Sequence, residues 1–418
     1  MTETPERLAS RLRVGEVPDA VEILKRSPVR IVARSGDQLV KLWLRPSRTP
    51  RREARALVRA RALGVPVPEL LASGEDWIAW RWRDGRPAQR SDLDRILPVV
   101  RAMHERGVLH GDLHLGNILI CDGEVMLLDL QHMHFLPVAP GILQRRELGY
   151  LAYSLGEPLP ESLRPARRWR ARRAHTHWRS RTRRAVKESS LFTAFEHRGA
   201  PGFRRREADE DDLRAALQGV EDSELVKDGP SSRLFRRDGW ILKEHRSPRR
   251  ARAAWLGARG LESRGIGTPR ALAWSGRWLV MEDAGPTLAD WVDAEFSKTC
   301  QSTRDEMARA LGELAGTLHR RGIYHGDLKA NNVVWSPGET PKLLDTGRVL
   351  FRRRVSARRR IKNLAQLNAA LPDLVPGELR EAGLAHYARS SDFAGDLVAL
   401  RRDVIEASLR RQHRWNGC

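Results

Sequence analysis

The sequence predicts an α+β chain of two tandem bilobal units, each a small β-rich lobe followed by a helical one. Three observations carry this. The stretch His110-Gly111-Asp112-Leu113-His114-Leu115-Gly116-Asn117 returns as His325-Gly326-Asp327-Leu328-Lys329-Ala330-Asn331-Asn332. Upstream, Gly36-Asp37-Gln38-Leu39-Val40-Lys41 returns as Asp238-Gly239-Trp240-Ile241-Leu242-Lys243. Within each copy, short alternating runs come first and amphipathic helical runs afterwards. So long a period excludes a solenoid and reads as a duplicated domain. The reading places a first unit at 1–200, a linker at 201–216 and a second unit at 217–418. Gly199-Ala200-Pro201-Gly202 and the charge-dense Glu207 to Asp212 mark the linker.

Taken in order, Val29-Arg30-Ile31-Val32 and Gln38-Leu39-Val40-Lys41-Leu42-Trp43 alternate as an antiparallel hairpin does. A helix rich in Arg, Ala and Leu follows at 51–63, and its counterpart at 249–261. Gly64-Val65-Pro66-Val67-Pro68 and Gly265-Ile266-Gly267-Thr268-Pro269 then turn the chain. Trp77-Ile78-Ala79-Trp80 and Trp278-Leu279-Val280-Met281 read as further strands. A long amphipathic helix runs into each His-Gly-Asp stretch.

Each His-Gly-Asp stretch has an Asp, an Asn five residues on, and a later Asp on an apolar strand: Leu127-Leu128-Asp129 and Leu343-Leu344-Asp345. Phosphoryl transfer needs such a set. One carboxylate accepts the proton of the acceptor hydroxyl, and an amide oxygen with a second carboxylate holds the magnesium that bridges the nucleotide phosphates. The spacing is that of the catalytic and metal loops of the protein-kinase fold. Asp112 and Asp327 are thus the candidate bases, with Asn117, Asp129, Asn332 and Asp345 as candidate metal ligands. Lys41 and Lys243 stand where a strand lysine reaches the phosphates of ATP. Lys329 lies two residues past its base, where a cation would stabilise the transferring phosphoryl group; His114 is its counterpart.

A phosphate-binding strand lysine needs a helix glutamate to orient it. Glu53 is in place in the first unit. In the second the match falls on Ala254 or Trp255, and Glu244 and Glu262 are out of register. Neither unit has a G-x-G-x-x-G hairpin, so phosphates would meet backbone donors and arginines such as Arg34 or Arg236. This argues against an ordinary eukaryote-type protein kinase. Asp345-Thr346-Gly347 keeps a glycine turn that Asp129-Leu130-Gln131 lacks.

The 418 residues are 41% hydrophobic, enough for ordinary cores, and carry a net charge of +22, which favours anionic partners. Cys121, Cys300 and Cys418 have no metal-ligand spacing and suggest neither a zinc site nor a disulfide framework. The first residues, Met1-Thr2-Glu3-Thr4-Pro5-Glu6, read as no secretory signal, and no run of about 18 apolar residues suggests a membrane span. His110, His114, His132 and His134 are close enough to suggest a metal, but a role in bracing the loop and lining the cleft is preferred. The run from Arg167 to Arg184, with Trp169 and Trp178, reads as a solvated or membrane-resting face before a nucleic-acid grip. Arg352-Arg353-Arg354 and Arg358-Arg359-Arg360 follow Asp345, where an acceptor docks, and point to an anionic one.

These residues together resemble the bacterial lipopolysaccharide-core kinases, the Kdo and heptose kinases, which lack the glycine-rich loop. The first His-Gly-Asp loop also looks like that of small-molecule kinases of the aminoglycoside and choline type. The resemblance implies protein-kinase-like domains using ATP and Mg2+ to phosphorylate a sugar hydroxyl on a lipid-linked saccharide. It also implies a cytoplasmic protein at the inner face of the inner membrane, with an acidic membrane surface as partner and nucleic acid ranked below it. Two rival readings are a protein Ser/Thr or small-molecule kinase, and a pseudokinase scaffold that binds nucleotide or membrane without turnover.

Overall fold

Residues 21–43 place apolar side chains on one face at every second position, and they fold as three antiparallel strands. The computed structural model describes residues 3–391 and 393–411, a mixed α/β structure that divides into two units at Ala174/His175. The expected features at Met1, Thr2 and Cys418 lie outside the described residues. No helix among the described residues is long and apolar enough to cross a membrane.

The first unit opens with α1 (Pro5–Arg13), capped by Thr4 and started by a proline, whose missing N–H costs nothing at that position. It lays Leu8, Ala9 and Leu12 on the sheet formed by β1 (Val21–Ser27), β2 (Arg30–Ser35) and β3 (Gln38–Trp43). Next come α2 (Thr49–Ala62), β4 (Leu70–Ser73) and β5 (Trp77–Arg81), giving the sheet order β1-β2-β3-β5-β4. Strand β3 is central, with all six residues buried, and Lys41 pairs with Ile78 across it. After β6 (Arg86–Pro87), α3 (Leu93–Glu105) buries Leu93, Ile96, Leu97, Val100 and Met103 on one face. Each such fully buried side chain contributes about 1.5–3 kcal/mol. Strands β7 (Val108–Leu109), β8 (Ile118–Cys121), β9 (Glu124–Leu127) and β10 (His134–Phe135) carry the loops, and α4 (Gly141–Ser154) closes their far side. The division between units falls within the next helix, α5 (Arg167–Arg184).

The second unit begins with a hairpin that has no counterpart among the described residues of the first, β11 (Phe192–His197) and β12 (Ala200–Arg205). Helix α6 (Glu210–Gln218), capped by Asp209, then takes the place of α1, burying Leu213, Ala216 and Leu217. Strands β13 (Glu224–Asp228), β14 (Ser232–Arg237) and β15 (Trp240–His245), helix α7 (Pro248–Glu262), and strands β16 (Ala271–Ser275) and β17 (Trp278–Glu282) follow. The sheet order is β11-β12-β16-β17-β15-β14-β13, so its last five strands repeat the first unit's order. Even the bulges recur, at Ile23/Lys25 and Leu225/Lys227 and at Leu70/Ala72 and Ala271/Ala273. The helical part comprises α8 (Leu288–Glu295), α9 (Gln301–Arg320), strands β18 (Ile323–His325), β19 (Val333–Val334), β20 (Lys342–Leu343) and β21 (Val349–Phe351), and then α10 (Ala357–Ala370), α11 (Gly377–Ser390) and α12 (Leu397–Leu409).

The linker expected at 201–216 is not there. Those residues form most of β12, a strand of the second sheet, and most of α6, which packs on that sheet, and the division lies near residue 174. The glycine and proline that suggested a linker sit inside a strand: Gly202 pairs with Ser275, where a side chain would collide with the Trp274 carbonyl. The acidic run is the first turn of α6, where carboxylates favour a helix N-terminus.

Candidate active site

In the first unit the loop after β7 is fixed by backbone-directed bonds. The Asp112 N–H donates to His110 Nδ1 at 3.4 Å, so the ring carries its proton on Nε2 and donates it to the Leu128 carbonyl at 2.9 Å. Burial pushes the His110 pKa down, which keeps the ring neutral and the bracing intact. Asn117 Nδ2 donates to the Asp112 carbonyl at 3.0 Å, and the Leu128 N–H donates to the Asn117 carbonyl at 2.9 Å. These bonds tie Asp112, Asn117 and the strand before Asp129 into one frame. Gly111 is required in it: its φ is +82°, and a Cβ there would lie 2.1 Å from the His132 carbonyl oxygen.

The lysine and its partners come together as the sequence suggests. Lys41 Nζ lies 2.8 and 3.0 Å from the two Glu53 oxygens and 2.7 Å from Asp129 Oδ1. Lys41 and Glu53 are buried. Burial pushes the Glu53 carboxyl up, against the pull of Lys41. Burial also raises Asp129, but the Lys41 charge and hydrogen bond outweigh it and the carboxyl ends below its ordinary value. Asp129 has left-handed backbone (φ +60°) with a turn behind it at Leu130–His132.

The second unit repeats the frame. The Asp327 N–H donates to His325 Nδ1 at 3.2 Å, His325 Nε2 donates to the Leu344 carbonyl at 3.0 Å, and Asn332 Nδ2 donates to the Asp327 carbonyl at 2.8 Å. Asp345 has the same left-handed backbone (φ +46°) and the same turn, Thr346–Arg348. The glycine that distinguishes the two sequences therefore makes no difference to this bend. Lys329 Nζ is 3.0 Å from Asp327 Oδ2. Lys243 Nζ reaches Asp345 Oδ1 at 3.1 Å.

Among the described residues no carboxylate of α7 bonds to Lys243. Glu244 bonds to Arg233 and lies near Arg277, and Glu262 pairs with Arg205 and Arg259. Of the two residues matched to Glu53, Ala254 has no side-chain group to pair with a lysine, and the Trp255 indole donates to the Ala185 carbonyl at 2.8 Å and packs edge-on against Phe192. Helix α7 is tied to the Asp345 turn by another route. Thr346 Oγ1 donates to the Ala254 carbonyl at 2.7 Å, and Gly257 lets the helix backbone approach the Thr346 carbonyl, which a Cβ would meet at 2.0 Å.

Arg34 and Arg236, the arginines expected near phosphates, are each engaged within the chain. Arg34 bonds to the Gly36 carbonyl, lies near Asp84 and stacks on Trp82, and Arg236 pairs with Asp283 and Glu224. No group of three or more His, Cys, Asp or Glu among the described residues is placed to hold a metal. Cys121 and Cys300 are free thiols.

Sequence reasoning missed a layer behind each loop. Glu147 on α4 accepts the Gly111 N–H at 2.6 Å and the His104 Nε2–H at 2.7 Å, all three buried or half-buried. In the second unit Asn363 bonds to both backbone groups of His325 and to His319, and Gln366 donates to the Gly326 carbonyl. Burial lowers the His319 pKa to about 3, so it stays neutral. The signal was present: His104-Glu105-Arg106-Gly107 and His319-Arg320-Arg321-Gly322 precede the two loops at equal distance. Glu147→Ala is expected to cost about 2–3 kcal/mol, since it strands the buried His104 donor and the half-buried Gly111 N–H, and urea unfolding measures it.

The Lys243–Asp345 pair gives a pH signature. Burial raises the Asp345 carboxyl, the Lys243 charge and hydrogen bond lower it by more, and the net shift is downward. A carboxyl that is a stronger acid when folded stabilises the fold above its unfolded value, about 3.9, and that stability is lost as pH falls through the lower folded value. The Tm difference between the native chain and Lys243→Ala is therefore expected to be full near about pH 6, to shrink as pH falls past about 3.9, and to vanish only below the lower folded value. Melting curves across that range check it.

A strand lysine facing a loop carboxylate, beside an Asp–Asn loop, is the arrangement that phosphotransferases of the kinase class use. Residues 247–380 match the model of the lipopolysaccharide kinase (Kdo/WaaP) family, a stretch holding Asp327, Lys329, Asn332 and Asp345. The first unit and Lys243 lie outside the matched stretch. Among solved structures the chain is similar to a choline/ethanolamine kinase family protein from Mesorhizobium loti, at 15% identity and a TM-score of 0.31, over 40% of this chain and 80% of that one. It is also similar to the bifunctional kinase-methyltransferase WbdD, at 18% identity and a TM-score of 0.30, over 44% of this chain and 43% of that one. No curated protein matches it.

Proposed function

We propose that the chain is an ATP-dependent kinase that phosphorylates a sugar hydroxyl of a lipopolysaccharide-type glycolipid, and that each unit is a protein-kinase-like domain. The observation that carries this reading is the second-unit loop: Asp327, Lys329 and Asn332 are bonded together in the stretch that matches the family, and Asp345 of that stretch pairs with Lys243 just upstream of it.

In this reading Asp327 accepts the proton of the acceptor hydroxyl as its oxygen attacks the terminal phosphorus. Lys329 and Lys243 neutralise charge on the phosphates. Asp112 and Lys41 have the same parts in the first unit, with Glu53 fixing the Lys41 ammonium. A magnesium ion would be held by Asn332 and Asp345, and by Asn117 and Asp129. The donor chemistry fits: each Asn spends its amide nitrogen on the loop, leaving the oxygen, and magnesium favours such oxygen ligands completed by phosphates and water. When bound, the ion offsets the charge that develops on the phosphates.

The basic residues Arg352, Arg353 and Arg354, all exposed and just beyond β21, give an anionic glycolipid a place to dock, at an acidic membrane surface. The test is incubation of the full chain with ATP, magnesium and a lipopolysaccharide extract, with mass spectrometry of the lipid. A phosphorylated glycolipid supports the proposal; phosphate found only on protein or on a soluble amine or alcohol replaces it with one of the other kinase readings.

A further inference from the structure

We infer that Arg173 is the phosphoryl-binding cation of the first unit, supplied from α5 to do what Lys329 does from within the loop of the second. This deepens the proposed function and rests on that reading. Lys329 and His114 occupy the same backbone position, each with extended φ and ψ just before the short helical turn that ends at the Asn. Their chemistry differs. Lys329 sets an ammonium 3.0 Å from Asp327 Oδ2, whereas His114 brings an imidazole no nearer than 3.7 Å to Asp112 Oδ2. The close cation at Asp112 comes from elsewhere: Arg173 donates to Oδ1 at 2.9 Å.

Arg173 is not merely a loose member of a charged face. Its guanidinium lies 4.4 Å above the Tyr150 ring, so stacking and an ion pair fix its plane beside the base, while a third of the side chain stays open to solvent. The contact uses Oδ1 and leaves Oδ2 for the acceptor hydroxyl, as the Lys329 contact uses one oxygen of Asp327. The step balances. A bond forms between the acceptor oxygen and the terminal phosphorus of ATP, and the bond to the bridging oxygen breaks. The hydroxyl proton passes to Asp112, and ADP leaves with the electron pair. Arg173, unchanged, meets the charge on the equatorial oxygens.

The test uses the full chain carrying Lys243→Ala and Asp327→Ala, which silence the second unit. Calorimetry measures binding of ADP and of ADP with tetrafluoroaluminate, a mimic of the transferring group. Arg173→Ala is expected to weaken the mimic about 10²-fold while leaving ADP alone unchanged. Adding His114→Lys, which moves a cation to the position used by Lys329, is expected to recover at least about tenfold. An unchanged mimic affinity, a mimic bound no better than ADP in the parent, or failure of both His114→Lys and Arg173→Lys to recover binding overturns the inference. So does a rise in phosphoryl transfer on Arg173→Ala, which would make the contact an inhibitory latch. Loss of mimic binding with recovery, in a chain that transfers no phosphoryl to any acceptor, supports Arg173 and instead counts against the proposed reaction.

Discussion

Asp327→Ala is expected to lower glycolipid phosphorylation by about 10²–10⁴, the range for removing a general base, with little change in stability. The asymmetry follows from the geometry. The carboxylate contributes contacts to Lys329 and Asn332, whereas the loop is held by the backbone bonds of His325, Asn332 and Asn363, which the substitution leaves in place. Initial rates and melting temperatures, read on one preparation, separate the two quantities. A fall in melting temperature in proportion to the rate would mean that Asp327 serves the fold and not the reaction.

Glu53→Ala should differ, harming the first unit's stability along with the nucleotide binding proposed for it. The Lys41–Glu53 pair is buried, and removing one partner from such a pair costs about 3–5 kcal/mol because the other charge stays in low dielectric. Lys41 keeps Asp129, so the lower end, about 3 kcal/mol, is expected. The ammonium would then be drawn toward Asp129, away from phosphate, and nucleotide affinity at that unit should fall about tenfold or more. Denaturant unfolding and a nucleotide titration check these together. The second unit, tied at Thr346 and Gly257, has no such glutamate to lose.

Much of this is legible in the sequence. The recurring lysine and His-Gly-Asp-Leu stretches located both loops, and alternation located the strands, because side chains on a half-buried sheet must alternate. Glu53 was readable because its helix leaves a single carboxylate in register with the strand lysine. Three things were not. Residues 201–216 carry linker-like composition, yet a glycine and a proline suit the crowded strand β12, and acidic residues suit the first turn of α6. The pairing of α7 with Asp345 runs through a hydroxyl and a missing side chain, which charge patterns do not reveal. Arg173 sits among so many arginines that sequence alone could not single it out; only the fold shows which one turns to Asp112.

The central claim is that each unit builds its own nucleotide site from a strand lysine and a loop aspartate. Calorimetric titration of the full chain with a non-hydrolysable ATP analogue and magnesium measures this directly. Two sites per chain are expected, one lost on Lys41→Ala, the other on Lys243→Ala, and both in the double variant. A site that survives in the double variant, or a single site indifferent to one of the lysines, would contradict it.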